Sequence, residues 1–331
     1  MHAIRQHAFG GPEVLVYEEL PDLEPAEGQV RIAVEAAGVH LLDTSIRAGE
    51  SGGPFPVPDL PMTPGREVAG AVDRVGPGVD ESWAGRRVVA HLGRASGGYA
   101  AQAVAPVGSL HPLSEHVAPE AAVAMIGTGR TALAVLEVAE ITADDVVIVT
   151  GAAGGLGALL VQAARRAGAV AVGLAGGDAK FAHVRDQGAD LAVDYLRPDW
   201  PSRVTADLEA RFGDRTPTVL LDGVGGTAGR AALELVGVGG RVVLFGYSSG
   251  TPVELSSTDL FSRGLTASAA VGPRLLQRPG GLREFETKAL AALTAGELVP
   301  AVTATFPLED AAEAHRALES RATMGKVVLI P

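Results

Sequence analysis

The 331-residue sequence contains no cysteine and no asparagine. Without cysteine, disulfides, thiolate metal ligands and cysteine nucleophiles are excluded. Without asparagine there is no acceptor for N-linked sugar. No run of about 18 apolar residues is free of charge, so no membrane span is expected. The opening Met-His-Ala-Ile-Arg-Gln-His lacks the apolar core of a signal peptide, and a cytoplasmic location is expected. No Lys/Arg cluster is interleaved with aromatics, and 27 basic against 39 acidic residues leave a net charge of −12. That balance opposes nucleic acid and anionic membranes as partners, although it permits a local basic pocket for a phosphate. The length suits about two domains, and 47% hydrophobic residues suit globular cores.

What is present centres on residues 145–162. Val146 to Val149 read as a strand buried on both faces, Gly151–Gly157 as a glycine turn, and the Ala/Leu-rich run to Gly168 as a helix. This order gives the pattern Ala152-x-Gly154-x-x-Gly157 a dinucleotide-binding context. Gly154 and Gly155 leave room for a pyrophosphate, the helix start offers unpaired N–H groups, and Gly157 lets helix and strand pack closely.

Residues 1–123 look β-rich, with alternating stretches from Val14, Gln29, Gly65, Arg87 and Gly98. The Gly/Pro-rich segment 49–65 reads as a long surface loop. From about Pro119 helices alternate with Val-rich strands. Residues 129–140 predict a helix, Val170–Ala175 a second strand, and 178–187 a helix with Asp178 as N-cap and Gly188 as C′. Strands at Leu191–Asp194, Val219–Asp222, Arg241–Phe245 and Leu265–Val271 have helices at about 199–212 and 227–236 among them. A helix at 281–296, a strand at Ala301–Phe306, a helix at 308–319 and a strand at Lys326–Ile330 end the chain. The alternation predicts an open parallel sheet covered on both faces.

The second strand of such a sheet selects the dinucleotide. An NAD site carries an acid near its end for the ribose 2′-OH. Here the strand runs into Ala175-Gly176-Gly177-Asp178-Ala179-Lys180. A small residue at the acidic position and a cation nearby favour a 2′-phosphate, hence NADPH; Asp178 has two readings, a helix cap, which is preferred, or the NAD-type acid displaced by two residues.

At this point the sequence resembles the quinone oxidoreductase branch of the medium-chain dehydrogenase/reductase superfamily, which includes zeta-crystallin. The likeness runs the whole chain through Gly38-Val-His-Leu-Leu-Asp-Thr-Ser-Ile-Arg-Ala-Gly, Gly65-Arg-Glu-Val-Ala-Gly, Gly129-Arg-Thr-Ala, Gly151-Ala-Ala-Gly-Gly-Leu-Gly, Asp222-Gly-Val-Gly-Gly, Phe245-Gly-Tyr-Ser-Ser-Gly and Glu319-Ser-Arg-Ala-Thr-Met-Gly-Lys-Val-Val-Leu-Ile-Pro. It implies an α/β fold in which a Rossmann doubly wound parallel sheet, residues 124–268, is inserted in a GroES-like β-barrel catalytic domain formed by residues 1–123 and 269–331. By the same resemblance Gly154, Gly155 and Leu156 hold the pyrophosphate, and Gly177 passes the adenosine ribose. Lys180, Tyr195 and Arg321 surround the 2′-phosphate. Thr131, Val224, Phe245, Gly246 and Tyr247 line the nicotinamide.

Zinc-dependent relatives place Cys and His where this chain has His40 and Arg66. A tetrahedral ligand set is missing, so a metal-free mechanism is expected, with an Arg66–Glu67 interaction filling the former metal site. The family commonly has Asn at His40 and Tyr at Ser45, both lining the substrate cleft. Ser45 opens that pocket and removes an aromatic stacking surface. His40 has two readings. It donates to the oxyanion formed as hydride arrives, since an unperturbed imidazole titrates near ~6.5, or it only contacts the cofactor. The implied reaction is hydride transfer from NADPH to a quinone or enone, with His40 and Thr131 as catalytic candidates and Ser45 and Tyr247 in the substrate pocket. One- and two-electron modes stay open. An enoyl-thioester reductase is the alternative activity, and a non-enzymatic, crystallin-like NADPH-binding protein the alternative class. The resemblance also implies a homodimer through the edge strand Leu265–Val271.

Overall fold

The computed structural model describes residues 1–50, 57–93, 96–278 and 281–331, the side chain of Arg274 aside. Part of the loop expected at 49–65 lies outside the described residues. The chain forms two compact units, Met1–Gly129 with Glu286–Pro331, and Arg130–Phe285. The sequence suggests boundaries at 123/124 and 268/269. Its change of texture at Pro119 marks the first residue of a helix, and that helical run continues past Gly129, where the contacts divide.

In the first unit, β1 (His2–Gln6) and β2 (Leu15–Glu19) form an antiparallel pair. β3 (Gln29–Val39) leads into α1 (Leu41–Ala48), followed by β4 (Glu67–Val75), β5 (Arg87–His91), β6 (Gln102–Pro106), β7 (Leu110–Pro112) and α2 (Pro119–Ala124). β3 organises the main sheet. One side pairs with β4, while the other takes β6 along Gln29–Ala33 and a C-terminal strand along Ala37–Val39. Register shifts at Arg31/Ile32 and Val34/Ala36 bend it between those partners. Its alternate residues Val30, Ile32, Val34 and Ala36 are buried as period-2 geometry requires. A π-turn, Met125–Gly129, follows α2.

The second unit opens with α3 (Arg130–Ala139), β8 (Val146–Thr150), α4 (Gly155–Arg166) and β9 (Val170–Ala175). Then come α5 (Phe181–Asp186), β10 (Leu191–Asp194), α6 (Trp200–Phe212), β11 (Val219–Asp222), α7 (Gly226–Glu234), β12 (Arg241–Leu244), α8 (Ser257–Arg263) and β13 (Thr266–Ala269). The strands are parallel in the order β10-β9-β8-β11-β12-β13, the doubly wound arrangement that the alternation predicts. β8 lies at its centre, and Val146, Val147, Ile148 and Val149 are at most 1% exposed. Each such side chain contributes roughly 1.5–3 kcal/mol on burial. Short α9 (Pro273–Leu276) and α10 (Gly281–Thr294) lead back to β14 (Val302–Pro307), α11 (Ala311–Glu319) and β15 (Lys326–Ile330). In the first unit β14 pairs parallel with β15, and β15 runs antiparallel to β3.

The expected strand 265–271 contracts to β13. Asp178 is not the cap of its helix. It opens a 3-10 turn, Asp178–Lys180, whose cap is Gly177 at φ +93°, and α5 begins only at Phe181. Gly188, at φ +102°, does stand at C′ after Gln187. Among the described residues one helical run, Pro119–Ala139, has the length and mean hydropathy of a membrane span; 56% of its apolar window is buried within the fold, as in a core helix.

Candidate active site

In the second unit the glycine turn follows β8 directly. Gly151 takes φ +62°, and Gly154 stands in extended conformation as N-cap of α4, with no capping side chain. Ala158 N–H returns to Gly154 O at 2.9 Å. The N–H groups of Gly155, Leu156 and Gly157 therefore belong to the open first turn. At Gly157 a Cβ would lie 2.3 Å from Gly151 O and 2.8 Å from Ala152 Cα, so only glycine lets this turn close on itself.

Beyond β9, Gly177 N–H donates to Asp194 Oδ1 at 2.9 Å, as does Leu196 N–H. Asp194 thereby holds the loop after β10 against the one after β9. This brings Tyr195 beside Gly176, where a Cβ would meet Tyr195 Oη at 3.3 Å. A Cβ on Gly177 would meet nothing within 4 Å, and half-buried Lys180 ends the same short turn. Gly177 and Tyr195 are thus held at the carboxyl end of β9, with Lys180 closing the turn that follows.

Buried Asp222 ties the loops after β11 and β8. Its Oδ1 accepts from Thr150 Oγ1 at 2.6 Å and from Val224 N–H at 3.0 Å. The loop after β12 closes over it, because Ser248 N–H and Ser249 N–H donate to Gly223 O and Val224 O. Gly223 has Phe245 where a Cβ would be, and at Gly225 that place is taken by Thr251 O, with Tyr247 Cβ at 3.0 Å. Val224, Phe245, Gly246 and Tyr247 are therefore one assembly at the carboxyl ends of the central strands, where open parallel sheets bind ligands. Thr131 lies in the same unit, half-buried on α3.

His40, Ser45 and Arg321 belong to the first unit. His40 follows β3 and is the N-cap of α1; its N–H donates to Asp43 Oδ2 at 2.9 Å. Ser45 is half-buried on α1, and Arg321 is exposed after α11 at φ +56°. Around His40 lies a set of buried charges. Lys326 Nζ donates to Glu67 Oε2 at 2.7 Å, to His40 Nε2 at 2.9 Å and to Thr128 Oγ1 at 3.4 Å. An ammonium only donates, so the imidazole accepts at Nε2. His40 Nδ1 is buried without a hydrogen bond, with Asp43 Oδ2 at 3.6 Å. Glu67 Oε1 lies 3.0 Å from His40 Nε2 but accepts no hydrogen bond. In this arrangement neither ring nitrogen is presented outward.

The expected Arg66–Glu67 interaction is replaced. Arg66 donates to Asp43 Oδ1 at 3.3 Å, and the cation on Glu67 is Lys326. Burial pushes the Glu67 carboxyl up, but the His40 ring and the Lys326 ammonium outweigh it and hold the group well below the usual range. Asp43 behaves alike: burial raises it, and His40 and Arg66 bring it far down. Tyr99 O–H donates to Asp43 Oδ2 at 3.1 Å and lies 3.2 Å from His315 Nε2. Burial, then the Asp43 charge, push that phenol well above 10.0. Arg47 donates to His315 Nδ1 at 3.3 Å, so His315 Nε2–H is the donor to the Tyr99 oxygen. Burial lowers His315 to about 4. Beside Asp43 and Arg66 a cavity of about 110 Å³ is walled by Ile46, Met62 and Pro64.

Sequence reasoning misses Asp43, Thr128, Lys326, Tyr99 and His315. Lys326 carried one signal: it is among three lysines in the chain and opens an apolar strand.

Two family models match, one described as an alcohol dehydrogenase GroES-like domain over residues 26–115 and one as a zinc-binding dehydrogenase over residues 187–329. Quinone oxidoreductase 1 of Escherichia coli is 33% identical with 99% of each chain covered. A 2-haloacrylate reductase of a Burkholderia species is 31% identical, covering 98% of this chain and 97% of that one. A solved Escherichia coli quinone oxidoreductase complexed with NADPH aligns over both whole chains at 30% identity and a TM-score of 0.86. With likeness along its full length, with its GroES-like and Rossmann units, this chain belongs to the quinone oxidoreductase branch of the medium-chain dehydrogenase/reductase superfamily.

Proposed function

We propose that this protein reduces quinones or α,β-unsaturated carbonyl compounds by hydride transfer from NADPH, without a metal. The observation that carries the reading is the Lys326 ammonium seated among His40, Glu67 and Thr128. Zinc needs imidazole nitrogen, carboxylate or thiolate as free donors. Here His40 Nε2 and Glu67 Oε2 are both bonded to a cation, and no cysteine exists. The residues do not fit a zinc ion. A second charge pair, Arg66–Asp43, stands next to them.

The glycine turn and its neighbours fit a dinucleotide. Gly154, Gly155 and Leu156 would hold the pyrophosphate with backbone N–H groups, and Gly177 leaves the open space an adenosine ribose needs. Lys180, Tyr195 and Arg321 would meet the 2′-phosphate. NADPH supplies the hydride; the solved Escherichia coli relative, which binds it, supports that choice. Thr131, Val224, Phe245, Gly246 and Tyr247 would orient the nicotinamide, and Ser45 leaves width for the substrate. Negative charge gathering on the substrate oxygen requires hydrogen-bond donors. Both His40 nitrogens are held inside, which favours its positioning role over proton donation. The relative named 2-haloacrylate reductase supports electron-poor double bonds as acceptors.

The test is oxidation of NADPH with 9,10-phenanthrenequinone, a simple enone and a crotonyl thioester. Turnover with quinone or enone is expected. Turnover with the thioester alone would replace the reading with an enoyl-thioester reductase, and binding without turnover would make it a non-enzymatic protein. We also infer a homodimer through the edge strand β13, beside which Phe261 and Val238 are 88% and 87% exposed. Sedimentation at monomer mass would refute that.

A further inference from the structure

One hydroxyl leads from the buried cation toward the outside. Lys326 is 4% exposed, and its ammonium reaches three internal acceptors. It therefore has no donor left for a substrate. Of those acceptors, Glu67 is fully buried and His40 turns its Nε2 inward. The third, Thr128, is half-buried on a π-turn whose other residues are buried, a local irregularity common at functional sites. Gly127 explains why the turn sits there: a Cβ at that position would lie 1.7 Å from Glu67 Oε1. Only glycine lets the backbone close over the carboxylate and bring Thr128 to Lys326.

A hydroxyl that accepts from a cation keeps its own O–H to donate, and the charge strengthens that donation. Thr128 also precedes Thr131, a nicotinamide-lining candidate, by one turn of the same helical run. We propose that Thr128 donates its O–H to the substrate oxygen on which negative charge gathers, so that the charge of Lys326 reaches the substrate through this hydroxyl. The proposal rests on the NADPH-reductase reading. In an enone the hydride adds to the β-carbon, the C=C pair shifts toward the carbonyl carbon, and the carbonyl π pair moves onto oxygen. Thr128 holds that enolate oxygen without giving up its proton, and water then protonates the α-carbon.

Thr128→Val removes the hydroxyl at nearly constant shape, Thr128→Ser keeps it, and Thr128→Ala serves if the valine variant does not fold. With NADPH and 2-cyclohexen-1-one, Thr128→Val is expected to lose about 10²-fold in kcat. The NADPH Kd from fluorescence titration should stay within twofold, and Thr128→Ser should recover most of the rate. Three results would overturn the proposal: an unchanged kcat in Thr128→Val, a loss that serine does not rescue, or an equal loss of NADPH affinity. Wild-type protein that oxidises no NADPH with enone or quinone would instead defeat the reductase reading itself, and this inference with it.

Discussion

Lys326→Met keeps an unbranched apolar stem and deletes the ammonium that balances Glu67. It leaves a carboxylate at 0% exposure whose nearest cation is gone. Breaking a buried ion pair by removing one partner costs about 3–5 kcal/mol. For a domain the size of the first unit, each kcal/mol moves the melting point by roughly 2–4 °C, so a loss of about 6–20 °C is expected. The pH dependence has a definite sign. In the wild type Glu67 is held below its ordinary value of 4.5. Its contribution is complete above that pH and is lost as pH falls toward the folded value. In the variant the Lys326 attraction that offsets burial is gone, so the folded value moves up and the neutral acid becomes the better tolerated form. The gap between wild type and variant should therefore narrow from pH 7.5 to pH 5. Groups that touch neither Lys326 nor Glu67 cancel in that difference. Adding Glu67→Gln to Lys326→Met should recover part of the loss. Thermal melts of the three proteins at both pH values decide the matter. A single variant within 2 °C of wild type, or a gap that widens on acidification, would refute the reasoning (thresholds here are about the size of one kcal/mol).

Gly157→Ala sets a methyl group against Gly151 O and Ala152 Cα, both backbone; a stability loss of about 1–3 kcal/mol and weakened NADPH binding should follow in denaturant and fluorescence titrations. His315 titrates at about 4 in the fold against 6.5 unfolded, so the unfolded chain binds more protons between those values. Stability should fall by about 2 kcal/mol from pH 7.5 to pH 5, and urea unfolding of His315→Gln should lack that component. Lys180→Ala should raise the KM for NADPH about 10- to 100-fold, the worth of one charge-assisted hydrogen bond, and leave the KM for NADH little changed.

What could be read in advance follows the range of the forces involved. β8, the turn and α4 are local: β-branched residues, glycines and an Ala/Leu run declare themselves within twenty positions. Val170–Ala175 and Lys326–Ile330 likewise coincide with β9 and β15. α1 does not declare itself, because its N-cap is a histidine and the capping carboxylate, Asp43, stands three residues inside. The Lys326–Glu67 pair joins residues 259 apart in sequence, and no local pattern announces it. Arg66 beside Glu67 suggests a pair by adjacency, yet at the start of β4 successive side chains face opposite ways. One therefore turns to Asp43 and the other to Lys326. Thr128 depends on a π-turn that helical periodicity passes over.

The central claim is hydride delivery from NADPH to an electron-poor carbon by a protein that needs no metal. It is tested most directly with chelator-treated protein, an enone and NADPH deuterated at C4 on either face. The account predicts that one of the two labelled cofactors places deuterium on the β-carbon of the product, at a rate the chelator does not change. Product without label from either cofactor, or activity that chelation removes and zinc restores, would contradict it.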